Sequence, residues 1–102
     1  MISDELLRAI RNELPMKVTI LRLGRQGPPS KHIEGYFRFL CPECGELRAT
    51  VNPRNNLAHC FTCGQNWNNI DVLMALGYDF LAAVEVLEQW LRTHCDRTAA
   101  KG

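Results

Sequence analysis

Cys41-Pro-Glu-Cys44 and, fifteen residues on, Cys60-Phe-Thr-Cys63 decide how this chain is read. Two Cys-x-x-Cys pairs at this separation are the spacing of a tetrahedral zinc site, each pair setting two thiolates on one tight turn. Gly45 and Gly64 follow the pairs directly. Both are free to take the positive φ that wraps backbone around a metal. With four sulfurs no coordination position stays open, so one structural Zn²⁺ is expected, held by Cys41, Cys44, Cys60 and Cys63. Disulfides fit poorly, because the cysteines number five and no secretory segment precedes them. A redox dithiol normally occurs once, beside a parallel-sheet pattern, and is also disfavoured.

A chain of 102 residues makes one small domain, for which a metal is expected to substitute for core. The domain is expected over residues 1–97, with an unstructured tail at 98–102. Acids near the N-terminus and the lack of a long apolar run predict a cytoplasmic protein with no membrane partner. Net charge is only +1, yet it is unevenly spread. Residues 17–59 hold seven bases against three acids, whereas the flanking segments are net acidic. The positive excess surrounds the cysteine motif.

The expected fold class is α+β: a small zinc ribbon whose antiparallel sheet is flanked by short helices. Ser3 is placed to cap a helix carrying Leu6, Leu7, Ile10 and Leu14 on one face, ended by Pro15. Met16 to Leu23 reads as a strand, since Val18 and Ile20 alternate against Lys17, Thr19 and Leu21. Gly24 to Lys31 reads as a loop. Tyr36 to Leu40 is a strand, and Arg48–Val51 with Leu57–Cys60 form a hairpin around Asn52-Pro53-Arg54-Asn55-Asn56. Asn68 or Asn69 caps a short helix stopped by Gly77. Asp79 caps a longer one running to about Arg92, with Phe80, Ala83, Val84, Leu87, Trp90 and Leu91 on its packing face.

Thr50-Val-Asn, Leu57-Ala-His-Cys-Phe-Thr-Cys-Gly64, Ile70-Asp-Val-Leu-Met74 and the capped start Asp79-Phe80 resemble the N-terminal zinc-binding domain of bacterial primases. The resemblance spans roughly residues 36 to 91. It implies a zinc ribbon that recognises single-stranded DNA template before a separate domain makes the primer. The family usually has His as its second ligand, where this chain has Cys44; thiolate replaces imidazole on zinc without difficulty. No Asp-x-Asp cluster and no glycine-rich phosphate loop is present, so the expectation is a non-catalytic module. A primase polymerase domain or a replicative helicase is the protein partner this implies. The opening Met1 and the 24–31 loop favour a free-standing homologue over an excised domain.

In such ribbons the sheet face meets the strand, with bases stacked on aromatics and phosphates paired to cations. The expected nucleic-acid-binding residues are Tyr36, Arg38, Arg48 and Arg54, with His59 and Phe61 also candidates. Tyr36 and Arg38 share a face because strand side chains alternate. Phe37, Phe39 and Phe61 read as core instead. Trp67 reads as a cover over the metal site, with base stacking the alternative. Cys95 reads as a free surface thiol, and ligation by His59 is disfavoured because four cysteines complete the tetrahedron. The competing functional class is an adaptor that binds a protein through its C-terminal helix.

Overall fold

Ser3 opens the first helix by accepting a hydrogen bond from the Leu6 N–H at 3.1 Å, and Asp4 and Glu5 favour the positive end of α1 (Asp4–Glu13). A computed structural model describes residues 2–101, with side chains as far as Cys95. Ile10 and Leu14 of the first segment are buried, and Pro15 follows.

Met16 to Leu23 is a helix, α2 (Met16–Leu23), not the strand its alternation predicts. Its buried residues are Met16, Thr19, Ile20 and Leu23, spaced three and four apart. That is one face of a helix. The Pro15 carbonyl accepts from Val18 and Thr19, and the Met16 N–H donates to Asn56 Oδ1 at 2.9 Å. The group that satisfies the helix start thus comes from a turn 40 residues away, where no local reading would find it. One 3₁₀ turn at Gly24–Gln26 follows.

The expected loop also proves shorter than the sequence suggests, because Ser30 and Lys31 begin β1 (Ser30–Ile33). This strand pairs with β2 (Tyr36–Phe39) through Glu34-Gly35, at φ 52° and 85°. Two positive φ values in a two-residue connection match the twist of a hairpin. Then come β3 (Ala49–Asn52), β4 (Leu57–Cys60) and β5 (Asn66–Trp67), giving one antiparallel sheet in the order β1-β2-β3-β4-β5. The hairpin between the cysteine pairs forms as expected, with Arg48 in the turn just before β3.

Period-two alternation divides the sheet into two faces. Phe37, Phe39, Ala49, Val51, Ala58, Cys60 and Trp67 are buried in the core. Tyr36, Arg38, Thr50 and His59 alternate with them. Asn68 and Asp71 form a reciprocal capping box at the start of α3 (Asn69–Ala75), and Gly77 (φ 107°) ends that segment. Asp79 Oδ1 accepts from the Ala82 N–H at 2.8 Å to open α4 (Phe80–Lys101).

The last helix packs on α1 and α3, burying Ala83, Val84, Leu87 and Leu91. Phe80, expected on that face, is exposed: as the first residue past the cap it lines the open cleft between α1 and α3 and is not covered by either. The helix backbone continues well beyond Arg92, to Lys101. Gly102 and the side chains of the tail expected at 98–102 lie outside the described residues. Among the described residues no helix is long and apolar enough to cross a membrane.

Two buried asparagines join these layers. Asn56 Nδ2 donates to the Arg11 and Leu14 carbonyls at 2.7 and 2.6 Å, and Asn69 Nδ2 donates to those of Ile10 and Leu14 at 2.9 and 2.7 Å. The unpaired C-terminal carbonyls of α1 are therefore capped from the β3–β4 turn and from α3.

Candidate metal centre and sheet groove

The two cysteine turns are built alike. Gly45 N–H donates to the Cys41 carbonyl at 2.9 Å and Gly64 N–H to that of Cys60 at 2.9 Å, with φ of 76° and 80°. The Cys41 N–H donates to the Glu46 carbonyl, and the Cys60 N–H to that of Gln65. Each turn curls its backbone amides toward its own sulfurs, and the β3–β4 hairpin brings the two together.

All four Sγ atoms lie within 4.8 Å of one another. Cys41 and Cys63 are 3.8 Å apart, Cys44 and Cys60 3.5 Å. A zinc tetrahedron with bonds of about 2.3 Å has sulfur–sulfur edges of about 3.8 Å. The size fits a single ion. Cys41 and Cys60 are buried, while Cys63 is exposed, so the site sits at the edge of the core.

The protonation balance makes the same point. Burial opposes ionisation of Cys60, but the backbone N–H groups of Cys63 and Thr62 and the thiols of Cys44 and Cys63 outweigh it, lowering its pKa to about 6. The Glu46 amide pulls the other way on Cys44, yet desolvation and its thiol neighbours Cys60, Cys41 and Cys63 push it up to about 12. Cys63 is also raised: the Gln65 amide lowers it, and desolvation and the thiols of Cys60 and Cys41 prevail. Sulfurs this close cannot all be thiolates without a cation among them. Zinc supplies that charge when bound, and the four cysteines would hold it as a closed structural site.

His59 takes no part in this cluster. Its Nδ1 lies 2.8 Å from Asn66 Oδ1, and its ring meets Phe61 edge-on at 4.9 Å. It lines a groove of about 680 Å³ on the outer sheet face, together with Tyr36, Arg38, Thr50, Asn52, Pro53, Arg54 and Phe61. Three of the four expected strand-binding residues meet there. Arg48 does not: it is exposed in the turn before β3 and lines no part of the groove.

Phe61, read as core, is 63% exposed. It stands one residue past β4, inside the second cysteine turn, where strand alternation no longer governs direction. His59 and Thr50 carried a usable signal, since each alternates with a buried neighbour. Trp67 is buried in β5 opposite Ala58, away from the groove face. Cys95 is exposed.

No acid lines the groove. The one ion pair among the described residues is Arg92 with Glu88, so neither Arg38 nor Arg54 is neutralised by a carboxylate. The Arg38 Nε is buried without a hydrogen-bond partner. Two cations and two exposed rings therefore share one concave surface. Compared with models of known protein families and with curated proteins, the chain matches none. The protein is a zinc-binding α+β module by its four-cysteine cluster.

Proposed function

We propose that this zinc-binding module engages single-stranded DNA through the groove on its outer sheet face, in the manner of a primase zinc domain, and is itself non-catalytic. The observation that carries the reading is the acid-free groove, in which Arg38 and Arg54 lie unpaired beside the exposed rings of Tyr36 and Phe61. Phosphates supply affinity to such a surface, and every base offers a face to stack on. A polymerase domain or replicative helicase is the partner for which a template-binding module of this kind would work, in the cytoplasm.

Titration of labelled single-stranded oligonucleotides at two salt concentrations tests it. Binding should weaken as salt rises, because phosphate contacts release counterions. Absence of binding at low salt removes the proposal.

One observation favours a second reading. Met74, Phe80 and Leu81 are exposed apolar side chains near the junction of α3 and α4. An adaptor would use this corner to bind a protein. Loss of a protein contact on Leu81→Ala, with strand binding absent in the parent, would decide for it.

A further inference from the structure

We infer that a bound strand does not end in the groove but continues past Pro53 into a second cavity beneath the sheet, where Lys17 and His32 hold the next nucleotide. The inference rests on the single-strand reading and adds a second subsite to it.

The two cavities meet at one end of the sheet. The second, of about 390 Å³, is lined by Lys17 and His32 together with Met16, Phe37, Val51 and Pro53. Pro53, in the β3–β4 turn, lines the groove as well. Around the start of β2 the lining alternates, with Gly35 and Phe37 on the second cavity and Tyr36 between them on the groove. Along β3, Thr50 and Asn52 line the groove and Val51 the second cavity. Strand alternation thus puts one cavity on each face of the same sheet end.

The strand pairing leaves a passage between them. β1 and β2 are paired as far as Ile33 with Tyr36, and β3 and β4 as far as Asn52 with Leu57. Among the described residues β2 and β3 are paired only at Arg38 with Thr50 and Phe39 with Ala49. Tyr36 and Phe37 are therefore not laddered to Val51 and Asn52, and the sheet opens between its two hairpins beside Pro53. A single strand can turn through such an opening, where a duplex, stiff over about 50 nm, cannot.

Charge and ring chemistry fit the second cavity to a nucleotide. Residues 17–33 hold four bases, Lys17, Arg22, Arg25 and Lys31, and no acid, whereas residues 34–59 hold three of each. The positive excess of the middle segment thus belongs to α2, β1 and the turn between them, beyond the groove. No acid lines the second cavity, and the one ion pair among the described residues does not involve Lys17, which is exposed in the first turn of α2. His32 meets Phe37 edge-on with ring centres 5.4 Å apart, so two rings stand beside the cation. A ring surface takes a base and a cation takes its phosphate.

The test is fluorescence anisotropy of the zinc-loaded protein with oligothymidylates of about four and about twelve nucleotides, lengths that one small strand-binding domain covers. The short strand takes the groove, which holds two arginines and two exposed rings, and the long strand fills both cavities. Lys17→Ala should lower the slope of log affinity against log salt by about 0.7 for the long strand, the share of one single-strand phosphate, and leave the short strand's slope unchanged. Arg22→Ala removes the same charge further along α2, outside the cavity, and should change the long-strand slope less. In the parent, the amide resonances of His32 and Gly35 should shift with the long strand and not with the short one. The second subsite is overturned, and the single-strand reading left standing, if Lys17→Ala has no effect, acts equally on both lengths or does no more than Arg22→Ala, or if those resonances stay still. Binding of neither length overturns both.

Discussion

Asn56 does work out of proportion to its size. It sits in the left-handed region at φ 56°, which asparagine tolerates, and its amide satisfies the Met16 N–H and the Arg11 and Leu14 carbonyls. Asn56→Ala strands the Met16 N–H and the Arg11 carbonyl, while Leu14 keeps the Asn69 donor, and each stranded group costs about 1–3 kcal/mol if it stays buried and unpaired. Denaturant unfolding of the zinc-loaded variant should show at least the lower figure; a neutral result would mean that water replaces the amide. At the metal centre the signs differ between cysteines. Cys60, lowered to about 6 from 9.0, contributes stability to the metal-free fold above pH 9 that is lost as pH falls through about 6. Cys44 and Cys63 are raised, so their contribution is present below pH 9 and lost as pH climbs through their shifted values. Near pH 7 the cluster thus keeps protons that zinc must expel. Calorimetry in buffers of different ionisation enthalpy should detect proton release on zinc uptake, and a buffer-independent heat would contradict it.

At the scale of elements, α4 tests the core most directly. Leu87 is fully buried where this helix meets α1 and α3, so Leu87→Ala should cost roughly 2–5 kcal/mol. Phe80 begins the same helix but is 41% exposed, and Phe80→Ala should stay within about 0.5 kcal/mol. Equal losses at the two positions would mean that the first turn is packed after all. The two cysteine turns form a second element pair whose stability is that of the metal. Cys60→Ser should leave the sheet unfolded, since structural zinc binding is folding free energy. Native circular dichroism in that variant would contradict it.

Across the whole molecule, the groove joins the zinc hairpin to β2, with Arg38 and Arg54 on different strands and turns. Arg38→Ala and Arg54→Ala should each reduce the slope of log affinity against log salt by about one unit. Arg48→Ala should change it less, because Arg48 is outside the groove. Tyr36→Ala should weaken single-strand binding by roughly 1–3 kcal/mol with the slope unchanged, as stacking carries no counterion release. If the arginine pair can be removed together without loss of affinity while zinc stays bound, the surface is misassigned.

The four cysteines, the hairpin between them, the caps at Ser3 and Asp79, a cap at Asn68 or Asn69 and the outward placing of Tyr36 and Arg38 were all legible in the sequence. Each depends on residues a few positions apart: ligand spacing, cap chemistry and strand alternation. What stayed hidden depends on distant partners. Met16 to Leu23 has an alternation that suits a strand, and it is the Asn56 amide together with a core meeting Met16, Thr19, Ile20 and Leu23 on one side that makes it α2. β1 is a strand because β2 lies beside it. Phe61 faces out because the metal turn, and not the strand, sets its direction. The sequence by itself determined the metal site, the hairpin, α1 and the two C-terminal helices, since these are encoded over a few residues; only the tertiary structure decided the groove, α2, β1 and which aromatic rings face out, because long-range packing selects among conformations that local preference leaves close in energy.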